Sequence, residues 1–382
     1  METKQLKVAL IHDHLAQDGG AEKVLKVFAE MFPEAPIYTL LYEQKHADKY
    51  FKGRHIETSI IQRLPGGVKH YQWYMPFMPM AVEFFDLSGY DVVISDASAF
   101  AKGVITSPDT LHICYCHTPT RYLWDYTHQY INELKYNKYL KKIISLILNY
   151  IRMWDRQAAD RVDKYIANSK NIQQRISKYY RRDSFVIYPP VEIDQFHISN
   201  EAGDYYLIGG RLAPYKRVDI VIEAFKKLNS PLDKGGSMGN YKLKIFGDGV
   251  DMERLKKIAG DNPSIEFLGR VDDKKRAELY SGCKAFINPQ EEDFGITVIE
   301  AMASGRPVIA YRKGGAIETV IEGKTGVFFN EQTPAVIAEA IENFDKIDFN
   351  PAAIRQQAEK FSTGRFKKEI GEFIEREWES FN

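Results

Sequence analysis

A chain of 382 residues is too long for one ordinary hydrophobic core, and at about 150 residues per domain it divides into two. Hydrophobic content of 44% with 27% charged residues matches a folded soluble protein, and Lys+Arg and Asp+Glu balance at 52 each, so no global field draws in nucleic acid. No window holds the roughly 18 uncharged apolar residues of a spanning helix, and the opening Met-Glu-Thr-Lys-Gln-Leu runs into a strand pattern with no sign of a signal peptide.

Short β-branched runs alternate with helix-length amphipathic stretches, which predicts a parallel α/β architecture. Strands are expected at 7–12, 36–41, 91–96, 111–117, 164–168 and 185–188. Helices fall between them, the first at 21–32. The first strand feeds D-H-L-A-Q-D-G-G-A-E-K at 13–23, where Gly19 and Gly20 precede a helix and make a phosphate-ready loop, although a plain helix start reads equally well. No G-x-G-x-x-G fingerprint occurs, which counts against NAD. The 71–80 stretch is rich in aromatics and Met and is read mainly as core packing, with an apolar acceptor as the other use.

Cys114 and Cys116 are expected on opposite faces of their strand, and with Cys283 far off the three are read as buried free thiols in a cytoplasmic protein. His117 ends that strand beside Pro119, with Arg121 and Asp125 close by, a setting for a side chain facing a cleft. With no second His or Cys at ligand spacing, no metal is expected. Residues 137–154 predict an amphipathic helix with Leu140, Ile143, Ile144, Ile147, Leu148 and Ile151 on its apolar side and Lys135, Lys138, Lys141 and Lys142 on the other. It reads first as a core-facing helix with a solvated basic face, and second as a helix on an anionic membrane surface.

Paired prolines at 189–190 and the polar residues after them mark a domain connection, giving domains at 1–188 and 189–362, with a helix at about 363–382 returning to complete the first. A flexible surface loop is expected at 230–240. Strands of the second half are expected at 205–209, 243–247, 265–268, 285–288, 307–311 and 325–329, with helices at 217–229, 251–259 and 334–345. After the first of these strands, G-G-R-L-A-P-Y-K-R-V-D at 209–219 places Arg211 and Lys216 at the mouth of a glycine turn, two cations suited to a diphosphate. After the fourth, P-Q-E-E-D-F-G-I-T-V-I-E-A-M-A-S-G-R-P at 289–307 carries Glu292 and Glu300 with seven residues between them, the second inside a helix. Carboxylates beside a helix N-terminus make a poor phosphate trap alone. They suit a ligand bearing hydroxyls as well as phosphates, such as a nucleotide sugar.

These motifs resemble the retaining glycosyltransferases of family 4. The second half carries the resemblance through G-G-R-L-A-P-Y-K-R-V-D, F-G-D-G at 246–249, F-L-G-R-V at 267–271, E-D-F-G-I-T-V-I-E-A-M-A-S-G-R-P-V-I-A at 292–310 and G-G-A-I-E-T-V-I-E-G-K-T-G-V at 314–327. In the first half G-G-A-E-K at 19–23 and C-H-T-P-T-R-Y-L-W-D at 116–125 are similar to mannosyltransferases of bacterial surface polysaccharides and O-antigens. The resemblance implies a GT-B fold, two Rossmann-like α/β domains facing across a cleft. It implies a nucleotide-sugar donor, GDP-mannose, and a saccharide or polyprenol-linked acceptor in surface polysaccharide or lipopolysaccharide biosynthesis. Glu292 would contact the donor sugar, Glu300 the ribose, and Arg211 and Lys216 the leaving diphosphate without a metal. Gly210, Asp293, Phe294, Gly295, Ile296, Thr297, Arg270 and Val271 would line the donor, Gly19 and Gly20 would approach its phosphates or the acceptor, and His117 would meet the C6 hydroxyl. Arg121 and Asp125 would face the acceptor, with peripheral contact to the inner membrane. Asp293 departs from the family pattern, which has Gly there most often. Alternatives are a UDP-sugar donor, a nucleotide-sugar epimerase, or a non-catalytic nucleotide-sugar-binding protein on the same fold.

Overall fold

The computed structural model describes residues 6–17, 19–134, 136–199, 201, 203–230 and 240–381; most of the loop expected at 230–240, Lys135 and the first five residues lie outside them. The chain forms two compact units, Met1–Pro190 with Phe366–Asn382, and Val191–Arg365.

The first unit is built on seven parallel strands: β1 (Val8–Leu15), β2 (Ile37–Tyr42), β3 (Ile56–Thr58), β4 (Val92–Ala97), β5 (Leu111–Cys116), β6 (Lys164–Ala167) and β7 (Phe185–Val186), in the order β3-β2-β1-β4-β5-β6-β7. Helices α1 (Gly20–Met31), α2 (Gln44–Phe51), α3 (Met78–Glu83), α4 (Thr127–Glu133), α5 (Lys138–Asp160) and α6 (Lys170–Tyr180) supply the crossovers. A parallel strand covered on both faces must be apolar on both, and β4 and β5 are buried at every position. One core lies on each side of the sheet: Leu148, Ile151 and Trp154 of α5 help form one, Val24, Leu25 and Phe28 of α1 the other.

Three expectations are corrected here. Cys114 and Cys116 share one face of β5, both in the α5-side core, while Tyr115 between them points to the α1 side. Strand side chains alternate with period two, so residues two apart must agree. The helix expected to bury its apolar stripe does so only in its second half: Leu148 and Ile151 are buried, Ile144 and Ile147 are half-buried, and Leu140 and Ile143 are exposed. The helix extends beyond the core that could cover it. The 71–80 stretch likewise forms a 3-10 turn (Tyr71–Phe77) leading into α3, with Trp73, Phe77 and Met80 exposed instead of packed inside.

The second unit carries six parallel strands: β8 (Tyr205–Gly209), β9 (Lys242–Phe246), β10 (Ile265–Gly269), β11 (Phe286–Asn288), β12 (Val308–Tyr311) and β13 (Gly326–Phe329), in the order β10-β9-β8-β11-β12-β13. Its helices are α7 (Val218–Leu228), α8 (Met252–Ala259), α9 (Asp273–Gly282), α10 (Ile296–Ala303), α11 (Ala316–Thr319), α12 (Pro334–Phe344) and α13 (Pro351–Glu359). A last helix, α14 (Thr363–Phe381), sends Phe366, Ile370, Phe373 and Ile374 into the α1-side core of the first unit. That 4, 7, 8 spacing makes one face. The Phe366 ring meets Phe28 edge-on at 5.5 Å and Tyr115 at 5.7 Å. Each such residue contributes about 1.5–3 kcal/mol by burial, so the helix is anchored by packing rather than by its charged exterior.

Candidate active site

Both sheets reverse their strand order at an interior pair, β1/β4 in the first unit and β8/β11 in the second. From one strand of such a pair the chain turns left, from the other right, and a crevice opens beyond their carboxyl ends. In the second unit the loop after β8 brings Arg211 and Lys216, and the loop after β11 brings Glu292. The two loops touch: Lys216 Nζ pairs with Glu292 Oε1, and Gln290 Nε2 donates to the same oxygen at 2.7 Å. Burial alone would lower the Lys216 pKa. The Glu292 carboxylate outweighs it and raises the value, so the ammonium stays charged, with Arg211 close enough to oppose it.

The backbone explains why these loops need glycine. Gly314 has φ +62, and a Cβ there would collide with the Glu292 carbonyl oxygen; Gly315 N–H donates to that oxygen at 2.8 Å. Gly247, φ +110, is pressed as closely onto the Gly210 carbonyl. Directly after Lys216, Arg217 holds φ 53, a left-handed conformation rarely taken by a residue with a Cβ. It folds the chain sharply from the short turn Pro214–Lys216 into α7 and keeps Lys216 at the crevice. Helix α10 starts from Gly295, φ 91, with no side-chain cap, so no side chain of this unit covers the positive end of the helix at Ile296 and Thr297.

Glu300 lies one turn along α10 and is buried. Tyr280 Oη donates to its Oε2 at 3.2 Å, and Arg276 Nε stands 3.6 Å away. Its carboxylate is therefore tethered at the base of the crevice. Asp293 is half-buried and Phe294 buried, its ring edge-on to Phe361 at 5.5 Å, so Phe294 anchors the loop and leaves backbone to face a ligand. Arg270 and Val271 follow β10, with Arg270 exposed at the carboxyl edge of the same sheet.

The first unit's crevice joins His117, expected from the sequence, to His12 and Asp96, which were not. His12 Nδ1 hydrogen-bonds Asp96 Oδ2 at 2.9 Å, and His117 Nε2 hydrogen-bonds Asp96 Oδ1 at 2.6 Å, so one carboxylate bridges two imidazoles. Glu22 Oε1 sits 3.8 Å from His12 on the other side. Burial would lower the His12 pKa, but the two carboxylates outweigh it and push it up to about 10. Asp13 is fixed by four backbone N–H groups, from Ser98, Ala99, Phe100 and Ala101, at 2.6–2.8 Å. Although burial raises a carboxyl, the neighbouring imidazoles and these donors bring Asp13 below its usual range. His14 goes the other way, lowered by burial, and its Nδ1 is buried without a hydrogen-bond partner. The signal for these residues was available: charged groups at the carboxyl end of apolar runs, in I-H-D-H at 11–14 and I-S-D-A at 94–97.

Gly19 and Gly20 open α1 beside this cluster, yet Gly19 N–H already donates to Glu22 Oε2 at 2.9 Å. A phosphate there would have to displace that carboxylate. Arg121 lies over the Tyr126 ring at 5.3 Å, and Asp125 pairs with Arg175 at 2.5 Å. Arg121 therefore has its partner within the loop that follows His117, and Asp125 has its partner on α6. Among the described residues no group of three or more His, Cys, Asp or Glu side chains is placed to hold a metal ion.

Two family models match, Glycosyl transferases group 1 over residues 191–361 and Glycosyltransferase Family 4 over residues 18–195. An uncharacterised glycosyltransferase of Methanocaldococcus jannaschii is 31% identical over 50% of this chain, which spans only 52% of that relative. An alpha-1,3/1,6-mannosyltransferase of Dictyostelium discoideum is 23% identical over 98% of this chain and 99% of its own. HepE of Anabaena, solved in complex with UDP, shares the fold with a TM-score of 0.68 at 18% identity, over 97% of this chain and 100% of that one. Sucrose-phosphate synthase of Thermosynechococcus elongatus shares it with a TM-score of 0.70 at 15% identity, over 98% and 100%. The common architecture is GT-B, two Rossmann-like units with parallel sheets.

Proposed function

The chain belongs to the family 4-like glycosyltransferases, and from that premise we propose that it is a retaining α-mannosyltransferase. It takes mannose from GDP-mannose to a saccharide or polyprenol-linked acceptor in surface polysaccharide biosynthesis, needs no metal, and works in the cytoplasm at the membrane face. The observation that carries the reading is the joining of Lys216 and Glu292 at the β8/β11 crevice, with Arg211 nearby and the uncapped start of α10 beside them. An ammonium, a guanidinium and free N–H groups answer a diphosphate; the carboxylates of Glu292 and Glu300 answer hydroxyls.

In this mechanism the bond from the anomeric carbon to the β-phosphate oxygen breaks with its electron pair going to the phosphate. The acceptor oxygen bonds to the same face of the anomeric carbon, and its proton passes to the departing phosphate oxygen. Arg211 and Lys216 stabilise the charge that develops there, and Glu292 orients the sugar once the nucleotide draws Lys216 away from it. The mannosyl assignment leans on the Dictyostelium relative. A UDP-sugar donor is the second reading, favoured by the UDP found in HepE.

A panel of GDP- and UDP-sugars tests both, with transfer followed by product release and the new anomeric centre read by NMR. GDP-mannose as best donor and an α-linked product are expected. Preference for a UDP-sugar would move the assignment to the second reading, and a β-linked product would refute retention.

A further inference from the structure

A buried amide stands behind the Glu292 carboxylate. Gln290, 5% exposed, donates from Nε2 to Glu292 Oε1 at 2.7 Å, the same oxygen that Lys216 Nζ reaches. A carboxylate only accepts, so the amide must turn its nitrogen, not its oxygen, to Glu292. The backbone around the pair is held on both sides. Asn288 is fully buried at the end of β11, and Gln332 Nε2 donates to the Pro289 carbonyl at 2.7 Å. On the far side Gly315 N–H donates to the Glu292 carbonyl at 2.8 Å. The frame therefore delivers the Gln290 amide to one place, while the half-buried Glu292 side chain faces the β8 loop.

The two donors on Glu292 Oε1 differ in what else attracts them. Lys216 is a cation on a flexible stem, and a diphosphate of higher charge competes for it with a single carboxylate. Gln290 is neutral. A phosphate gains less from an amide than from an ammonium, and a buried amide that leaves its acceptor loses a bond nothing replaces. A nucleotide therefore draws off Lys216 and leaves Gln290 where it is. Around the carboxylate stand Lys216, Arg211 and Tyr215 of the loop after β8, and Glu291 and Asp293 flank it in the chain. Lys216 is held charged, and an amide does not ionise near neutrality, so neither donor switches off there.

We propose that Gln290 is a positioning residue for sugar recognition: its amide keeps the Glu292 carboxylate in one orientation once a nucleotide diphosphate has taken Lys216. Glu292 then accepts from a hydroxyl of the donor sugar without having to find its place again. The proposal rests on the transferase reading above, which puts the diphosphate on Lys216 and the sugar on Glu292. It adds an order of events: the Lys216–Glu292 pair is the resting state, and the Gln290–Glu292 bond is the one kept during transfer. The nucleotide alone does not need the amide; the sugar does. Gln290 belongs to the share of affinity that the hexose adds, and to the rate, since a carboxylate free to swing meets the reacting sugar in several poses instead of one.

The test compares Gln290→Leu and Gln290→Glu with the unaltered chain, by calorimetry with GDP and GDP-mannose and by steady-state transfer. Leucine has a similar volume and no donor. In Gln290→Leu, GDP affinity should stay within about threefold, GDP-mannose affinity should fall about tenfold, and kcat should drop about 10- to 100-fold. Gln290→Glu sets a second carboxyl against Glu292. Two carboxyls at hydrogen-bond distance cannot both ionise there, but one shared proton restores the donor. Transfer by this variant, relative to the unaltered protein at each pH, should be lowest near pH 8 and rise about tenfold towards pH 5.5. The same ratio for Gln290→Leu should be flat. Normal kcat and normal GDP-mannose affinity in Gln290→Leu would overturn the proposal. So would an equal loss of GDP and GDP-mannose binding with a flat ratio for Gln290→Glu, the marks of a residue that only supports the fold. If the best donor proves to be a UDP-sugar, UDP and that sugar replace the GDP pair and the outcomes read the same way. An unaltered chain that transfers no sugar from any donor would refute the transferase reading, and this proposal with it.

Discussion

The β1/β4 and β8/β11 crevices share a topology and treat their backbone N–H groups in opposite ways. In the first unit the protein supplies its own anions: Asp13 takes four N–H groups of residues 98–101, and Glu22 takes that of Gly19 at the start of α1. In the second, α7 starts from Arg217 and α10 from Gly295, neither with a side-chain cap, and the cations Arg211 and Lys216 stand alongside, Lys216 paired with Glu292. A helix start filled by its own carboxylate is a rigid wall, while one without a side-chain cap beside Arg211 and Lys216 is where the proposed function puts the donor's phosphates. The lesson is that strand order locates a site, and side-chain capping decides what it can hold.

The comparison breaks if the open crevice is not the one that carries the chemistry. Lys216→Ala and Arg211→Ala should each cost about 2–4 kcal/mol of transition-state stabilisation, roughly 30- to 1,000-fold in kcat, by analogy with deleted oxyanion donors. Near-normal turnover in both would remove their assigned role. The closed crevice should instead show its value in stability. Asp13→Ala leaves four buried donors without their charged acceptor and should cost about 2–3 kcal/mol in urea denaturation; an unchanged midpoint would show that water satisfies them.

A pH series sharpens the contrast further. His12 is raised from 6.5 to about 10, so the stability it contributes is complete below pH 6.5 and is lost as pH climbs towards 10. The unaltered protein should lose thermal stability more steeply across that window than His12→Gln, and parallel curves would contradict the buried imidazolium. The smallest effect belongs to Glu22. Its removal as Glu22→Ala frees the Gly19 N–H for about 0.5–1 kcal/mol of stability, and should allow phosphate at α1 if the glycine pair serves the donor. A stabilised Glu22→Ala protein would mean that the carboxylate is held there against its preference.

Much of this was legible in the residues. The β-branched runs announced the parallel strands, and the spacing of Glu292 and Glu300 with Arg211 and Lys216 pointed to a phosphate- and hydroxyl-bearing ligand. What escaped has physical causes. Strand β3, Ile56–Thr58, is a three-residue edge with no apolar run to mark it. Strand β1 was expected to stop at residue 12, because a polar H-D-H reads as a loop, but it continues to Leu15 since its polar groups pair with β4 and the loop beyond it. The His12–Asp96–His117 chain joins three strands, and side chains 84 and 21 positions apart meet only once the sheet order is known. For α5, periodicity revealed an apolar face and could not say how much core was there to cover it.

Calorimetric titration of GDP, then GDP-mannose, into the unaltered chain and into Lys216→Ala measures the central claim directly. Binding to the unaltered protein is expected, with a loss of at least about tenfold on removal of the ammonium, about 1.4 kcal/mol. Equal affinities in the two proteins would place the diphosphate somewhere other than the β8/β11 crevice and contradict it.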